Sequence, residues 1–240
     1  MSNSLLTNYI KLSPNYSKRK YKITKITIHH MAGNLSVESC GNVFATSSRQ
    51  ASSNYGVGTD GRVGLYVDEK NRAWTSSNAD NDHRAVTIEV ANDGGAPNWH
   101  VSDKALQATI DLCVDICKRN GIERLNYTGD KSGNLTMHKY YANTNCPGPY
   151  LESKFLYIAT EVNKRLGVKD PEKMGSPEAE GYLVKVTAYR LNVRKGPSMA
   201  YKVVTTVKEN EIYTIVDEVN GWGKLKSGAG WIKLSYTKRA

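Results

Sequence analysis

Residues 168–180 cut this chain in two. From Val168 to Glu180 the sequence is charged, interrupted by Pro171 and Pro177, and short of large apolar side chains, which is the composition of a linker. Residues 1–167 alternate strand-like runs with amphipathic helical stretches, whereas residues 181–240 read as short strands with turns, the pattern of a small barrel. Neither pattern continues into the other, so two domains are expected, 1–167 and 181–240, joined by 168–180. A length of 240 residues, above the commonest single-domain size, agrees with that division.

The formal net charge is +10, and most of it lies in the C-terminal piece. A basic excess favours anionic partners: nucleic acid, a membrane surface or the anionic polymers of a bacterial wall. No recognition helix or ribonucleoprotein signature is present, and the basic residues are spread along the chain, so nucleic acid is not expected. No run is long and apolar enough to insert in a bilayer. Met1 to Lys22 is polar and lacks a leader pattern, so the protein is expected to be made in the cytoplasm and to reach any external substrate after release. Cys40, Cys113, Cys117 and Cys146 show no disulfide-framework spacing and are expected as thiols.

Chemistry gathers at three places. Lys25 to His29 alternates, with Ile26 and Ile28 on one side and Thr27 and His29 on the other, so His29 projects from a strand end away from the isoleucines while His30 points the opposite way. Ala85 to Val90 repeats the pattern: Val86, Ile88 and Val90 share a face and leave Thr87 and Glu89 on the other. A carboxylate on so apolar a strand lies either at an exposed sheet edge or in a site that uses it, because burying it unpaired is costly. Further on, His138 and Cys146 stand eight residues apart, followed by Pro147-Gly148-Pro149, a segment that must turn. Imidazole nitrogen and thiolate sulfur are zinc donors, and a catalytic zinc takes three protein ligands. His29, His138 and Cys146 are the expected set.

The remaining elements frame these. Ser36 is expected to cap a helix with Val37, Cys40, Val43 and Phe44 on one face. Ser102 caps another, whose stripe of Leu106, Ile110, Cys113, Ile116 and Cys117 ends at Gly121 and makes both cysteines buried thiols, not a metal pair. A last helix carries Leu151, Phe155, Ile158, Val162 and Leu166 and stops at Gly167. Asp60-Gly61 turns between two strands, and Ser76 to His83 reads as a polar loop. Trp74 either stacks on substrate or fills a core, Tyr55 serves packing or binding, and His83 is a substrate contact or a loop residue. Six strands are expected in the C-terminal piece, over residues 183–186, 191–194, 203–206, 211–216, 222–225 and 230–233. Tyr189, Tyr201, Trp222 and Trp231 are candidates to line a groove there.

Ile28-His29-His30, Ile88-Glu89 and His138 to Pro149 together resemble the zinc-dependent N-acetylmuramoyl-L-alanine amidases shared by phage endolysins, autolysins and peptidoglycan-recognition proteins, over about Lys20 to Gly167. Leu191-Asn192-Val193-Arg194-Lys195-Gly196-Pro197-Ser198, with Gly221-Trp222 and Gly230-Trp231-Ile232, resembles the bacterial SH3-like domain of wall hydrolases. The resemblance implies a central mixed β-sheet flanked by helices, one Zn2+ per chain, Glu89 as general base, and Thr144 beside the developing oxyanion. It further implies cleavage of the amide between N-acetylmuramic acid and L-alanine, with bacterial peptidoglycan as partner; the oligomeric state is open, a monomer being assumed. Asn54 stands where relatives commonly carry a histidine that is not a ligand, so its substrate role stays open. A phage or prophage endolysin is the expected setting. A host autolysin with the same chemistry and a non-catalytic recognition protein are the alternatives.

Overall fold

The computed structural model describes residues 2–168, 181–199, 201–219 and 221–240. Residues 169–180, most of the expected linker, lie outside them. The chain divides into two compact units, Met1–Lys169 and Asp170–Ala240.

The first unit is built on strands β1 (Thr7–Ile10), β2 (Tyr16–Lys18), β3 (Lys25–His30), β4 (Tyr55–Val57), β5 (Val63–Leu65), β6 (Asn71–Ala73), β7 (Ala85–Val90) and β8 (Leu135–Met137). Its helices are α1 (Val37–Phe44), α2 (Ala79–Arg84), α3 (Asp103–Asn120), α4 (Pro149–Glu152) and α5 (Phe155–Leu166). Six strands form a mixed sheet in the order β1-β5-β4-β7-β3-β8, parallel except for the β4–β5 pair, while β2 and β6 make a separate ribbon. This is the mixed sheet flanked by helices that the resemblance implies.

Strand alternation gives the sheet two unlike faces. One carries Ile26, Ile28, Tyr55, Val86, Ile88, Leu135 and Met137, all fully buried in one cluster with Ile110, Cys113, Ile116 and Cys117 of α3 and Phe155, Ile158 and Val162 of α5. Ser102 caps α3 by accepting a hydrogen bond from Ala105 N, and Gly121 closes it in the left-handed region at φ +66°. The other face is polar along the middle strands and is covered in part by α1. Tyr66 locks α1 down: its hydroxyl donates to Val37 O at 2.7 Å, and its ring lies so close over Gly56 and Gly64 that a Cβ at either would meet it at 2.6 Å.

Three expectations need correction. The Ser76–His83 loop contains α2, which has no apolar periodicity because its buried residues are Asn81, Asp82 and His83, held by an Asn78 cap on Asn81 N. The last helix is two, α4 and α5, separated at Ser153–Lys154, where Ser153 Oγ donates to Tyr150 O and competes with the backbone ladder. Val43, expected in the core face of α1, is 41% exposed and borders a cleft.

The second unit has strands β9 (Tyr182–Val186), β10 (Arg190–Arg194), β11 (Val203–Lys208), β12 (Ile212–Val219), β13 (Trp222–Leu225), β14 (Trp231–Lys233) and β15 (Thr237–Arg239). They pair antiparallel throughout, in the order β11-β10-β14-β13-β12-β9-β15, around a core that includes Val184, Leu191, Val193, Ile215, Leu225 and Ile232. The small all-β barrel was expected with six strands. The seventh, β15, is Thr-Lys-Arg at the sheet edge and offers no apolar alternation to read.

One buried charge ties the first unit together. Glu69 is fully buried; its Oε1 accepts from Tyr55 OH and Arg119 Nη2, each at 2.7 Å, and its Oε2 accepts from Arg119 Nη1 at 2.9 Å. Removing one partner of such a pair leaves an uncompensated charge. Arg119→Met is therefore expected to cost about 3–5 kcal/mol in urea unfolding of the full chain. Lys70→Met, which breaks the exposed 3.7 Å pair with Asp68, should cost under about 0.5 kcal/mol.

Candidate metal centre

Parallel pairing assembles the site. In register, His29 of β3 lies opposite Glu89 of β7, and Ile28 lies opposite Met137 of β8, so His138 begins at the same level as His29. All three stand at the carboxyl ends of parallel strands, the usual place for a crevice in such sheets. Cys146 arrives on the turn ahead of α4, and the donor atoms of His29, His138 and Cys146 all lie within 4.8 Å of one another. The imidazoles of His29 and His138 are 4.5 Å apart between centroids, tilted by 45°.

The turn depends on a close approach. Gly148 has φ +83°, and a Cβ there would sit 3.0 Å from Trp99 and 3.3 Å from the ring of His30. His30 packs edge-on against Trp99 at 5.3 Å, and its backbone N–H donates to Cys146 Sγ at 3.4 Å. Its side chain follows the isoleucine parity, as the alternation predicts, and borders the cleft from that edge.

Electrostatics prepare the donors. Burial, with the neighbouring His138 and His30, holds His29 well below the ordinary histidine range, and burial lowers His138 as well, so both rings are neutral and present lone pairs. Burial, then the charge of Glu89, pushes the Cys146 thiol up, against the pull of the His30 N–H. Nε2 of His29, Nε2 of His138 and Oε2 of Glu89 are buried with no hydrogen-bond partner among the described residues. Orphaned buried polar atoms are costly unless something satisfies them. Two neutral imidazoles and a thiol in a triangle this small are a donor set that fits a zinc ion.

Glu89 faces His29 without touching it: Oε1 is 3.9 Å from Nδ1, beyond hydrogen-bond reach. Its side chain is 15% exposed and opens on the cleft, so water reaches it. Burial raises its pKa to about 8, while Arg49 pulls the other way. Thr144 borders the same cleft, and its Oγ1 accepts from Cys146 N at 3.2 Å, leaving its own proton free to donate. The cleft, about 430 Å³, is walled by Cys40, Val43 and Phe44 of α1 on one side and by Trp74 and Thr75 on the other.

Of the expected substrate contacts, Trp74 lines the cleft. Its Nε1 donates to Ser17 Oγ at 3.2 Å, which fixes the ring at the cleft wall. Three others stand elsewhere. Asn54 is fully buried beneath the cleft, donating to Val67 O and accepting from Thr87 N, and so joins two strand regions. Tyr55 points into the α3 side of the core and holds Glu69. His83 is buried in α2, accepting from Lys20 N, because the segment folds as a helix and not as an open loop. In the second unit Trp222 lines a groove, while Tyr189 projects 83% exposed and Tyr201 packs over Gly196.

A polar row below the site was not anticipated. Thr27, Thr87 and Thr136 lie side by side in register, each two residues before His29, Glu89 and His138 respectively. Thr27 Oγ1 and Thr136 Oγ1 are 2.9 Å apart, Asn81 Nδ2 donates to Thr27 Oγ1 at 3.0 Å, and Thr87 Oγ1 pairs with Thr75 Oγ1 at 2.9 Å. The repeated threonine two positions ahead of each functional residue was the available signal.

Comparisons with known proteins bear on the family and the fold. The model of the N-acetylmuramoyl-L-alanine amidase family matches residues 19–149, and that of the bacterial SH3 domain matches residues 190–238. No curated protein matches. Among solved structures, PlyL superposes with a TM-score of 0.52 at 18% identity, covering 64% of this chain and 95% of that one. A selenomethionine derivative of AmpD gives 0.53 at 16%, covering 66% and 98%, and a mutant endolysin from Bacillus subtilis gives 0.51 at 17%, covering 65% and 99%. At these identities the superpositions speak for the fold of the first unit. With more than half its length matched by one family model, the chain belongs to the N-acetylmuramoyl-L-alanine amidase family and carries a bacterial SH3 domain behind the amidase domain.

Proposed function

We propose that the protein is a zinc-dependent, endolysin-type peptidoglycan hydrolase that cleaves the amide between N-acetylmuramic acid and the L-alanine of the stem peptide, with residues 1–167 as catalytic domain, 168–180 as linker and 181–240 as the wall-targeting domain. The observation that carries this reading is the convergence of His29, His138 and Cys146 on one point of an open cleft, with Glu89 in register across from His29. A non-catalytic recognition protein would have no use for the complete donor set, and Cys146 completes it.

His29, His138 and Cys146 would hold the ion, and their neutral rings and buried sulfur suit it. Zinc bound there supplies a Lewis acid for the scissile carbonyl and brings the pKa of water toward about 7. Glu89, open to the cleft, would in its carboxylate form take the proton of the attacking water and return it to the departing alanine amine. Thr144 donates its free hydroxyl hydrogen to the developing oxyanion, a single neutral donor and thus a modest clamp. Trp74 offers a ring face to the bound wall fragment at the cleft wall. Among the described residues no helix is long and apolar enough to cross a membrane.

Digestion of purified peptidoglycan tests the reading directly. New N-terminal alanine without new reducing sugar, abolished by a chelator and restored by zinc, is expected; reducing ends in place of alanine would assign the wrong bond. Glu89→Gln is expected to retain stoichiometric zinc by atomic absorption while losing activity by at least about 100-fold, within the usual range for a general acid–base group. Near-normal turnover in that variant would remove Glu89 from the mechanism.

A further inference from the structure

The second unit carries a groove of about 460 Å³ whose chemistry differs from that of the zinc cleft. Its origin is the alternation of β10: Leu191 and Val193 enter the core, which turns Arg190, Asn192 and Arg194 to the opposite face. The two arginines are four residues apart on one strand, about 13 Å. Lys233 of β14 adds a third cation; it lies opposite Trp222 in register, with Nζ 5.6 Å from the centre of that ring.

Among the described residues no Asp or Glu lines the groove, and none of the three cations forms an ion pair. Among the same residues Arg190 donates only to Thr206 Oγ1, at 3.3 Å. Arg194 Nη1 is anchored on Tyr201 O at 2.8 Å, while its Nε is buried with no partner among the described residues. Beside the cations the half-exposed Tyr236 supplies apolar surface, while Trp222, 5% exposed, is buried beneath Lys233. Three cations on two neighbouring strands, with an aromatic ring beside them, suit a chain of repeating anions separated by polyol or sugar units.

We infer that this groove binds the phosphodiester polymers of the bacterial wall, polyol-phosphate chains, through Arg190, Arg194 and Lys233, and that it does not read the neutral glycan. The inference rests on the reading of the second unit as the wall-targeting domain and names its ligand. It does not depend on the zinc site, since binding needs no turnover. Charge complementarity selects this occupant: the peptidoglycan glycan backbone has no comparable line of anions to match the three cations.

Cosedimentation of the full chain with purified walls decides it, comparing walls that retain their phosphate polymers with walls stripped by hydrofluoric acid, at low and high salt. At least about tenfold tighter binding to the unstripped walls is expected, weakening as salt rises. The double variant Arg190→Gln/Lys233→Gln should fall to the level of stripped walls, while Arg190→Lys/Lys233→Arg keeps binding and shows that the loss is not one of folding. Equal binding to both wall forms would overturn the phosphate assignment and leave wall targeting standing. No binding to either would overturn wall targeting as well. Displacement by duplex DNA as efficient as by free polyglycerol phosphate, at equal charge concentration, would reduce the groove to a general polyanion surface and also overturn the assignment.

Discussion

Everything at the centre of the first unit depends on the register of β3 between β7 and β8. Because His29 pairs with Glu89 and Ile28 with Met137, three residues distant in sequence arrive at one level on one face of the sheet. A slip of one residue in either pairing would turn Glu89 or His138 into the α3 side of the core, where a charge or an imidazole has no partner. The apolar parity of Ile26, Ile28, Val86, Ile88, Leu135 and Met137 therefore protects the chemistry on the other side. Core packing and site geometry are one constraint seen from two faces.

The same logic explains why the site can hold unsatisfied groups. His29, Glu89 and His138 keep buried atoms without partners, an arrangement that a sheet tolerates only when its surroundings are rigid. Rigidity comes from below and from the side. The threonine row with Asn81 fixes the strands beneath the site, and Tyr66, wedged over Gly56 and Gly64, fixes α1 as the cleft wall. Glu69 with Arg119 and Tyr55 closes the opposite face. His29, His138 and Cys146 are thus held in place by packing, the kind of support that lets a site hold its geometry.

The two units divide the electrostatics between them. The cleft of the first unit is built from neutral imidazoles, a buried thiol and a carboxylate whose charge burial disfavours. The groove of the second unit gathers three cations with no carboxylate beside them among the described residues. The basic balance of the chain resides mainly in the second unit.

Residue pattern alone determined the elements that alternate cleanly. The parities of β3 and β7, the stripe and caps of α3, six of seven strands in the barrel, and the candidate donors His29, His138 and Cys146 could be named because period, cap and ligand chemistry are local properties. Where burial is polar, pattern was silent: α2 hides Asn81, Asp82 and His83, and Asn54 and Tyr55 turned out to be supports beneath and behind the cleft. Whether a polar side chain is a contact or a strut depends on which neighbour it meets across the sheet, and that is set by strand order and register, not by its own sequence surroundings. Hence the distance of Glu89 from His29, the walls given by α1, and the cationic line of β10 beside Trp222 belong to the tertiary structure, because only the pairing of remote strands brings those side chains together.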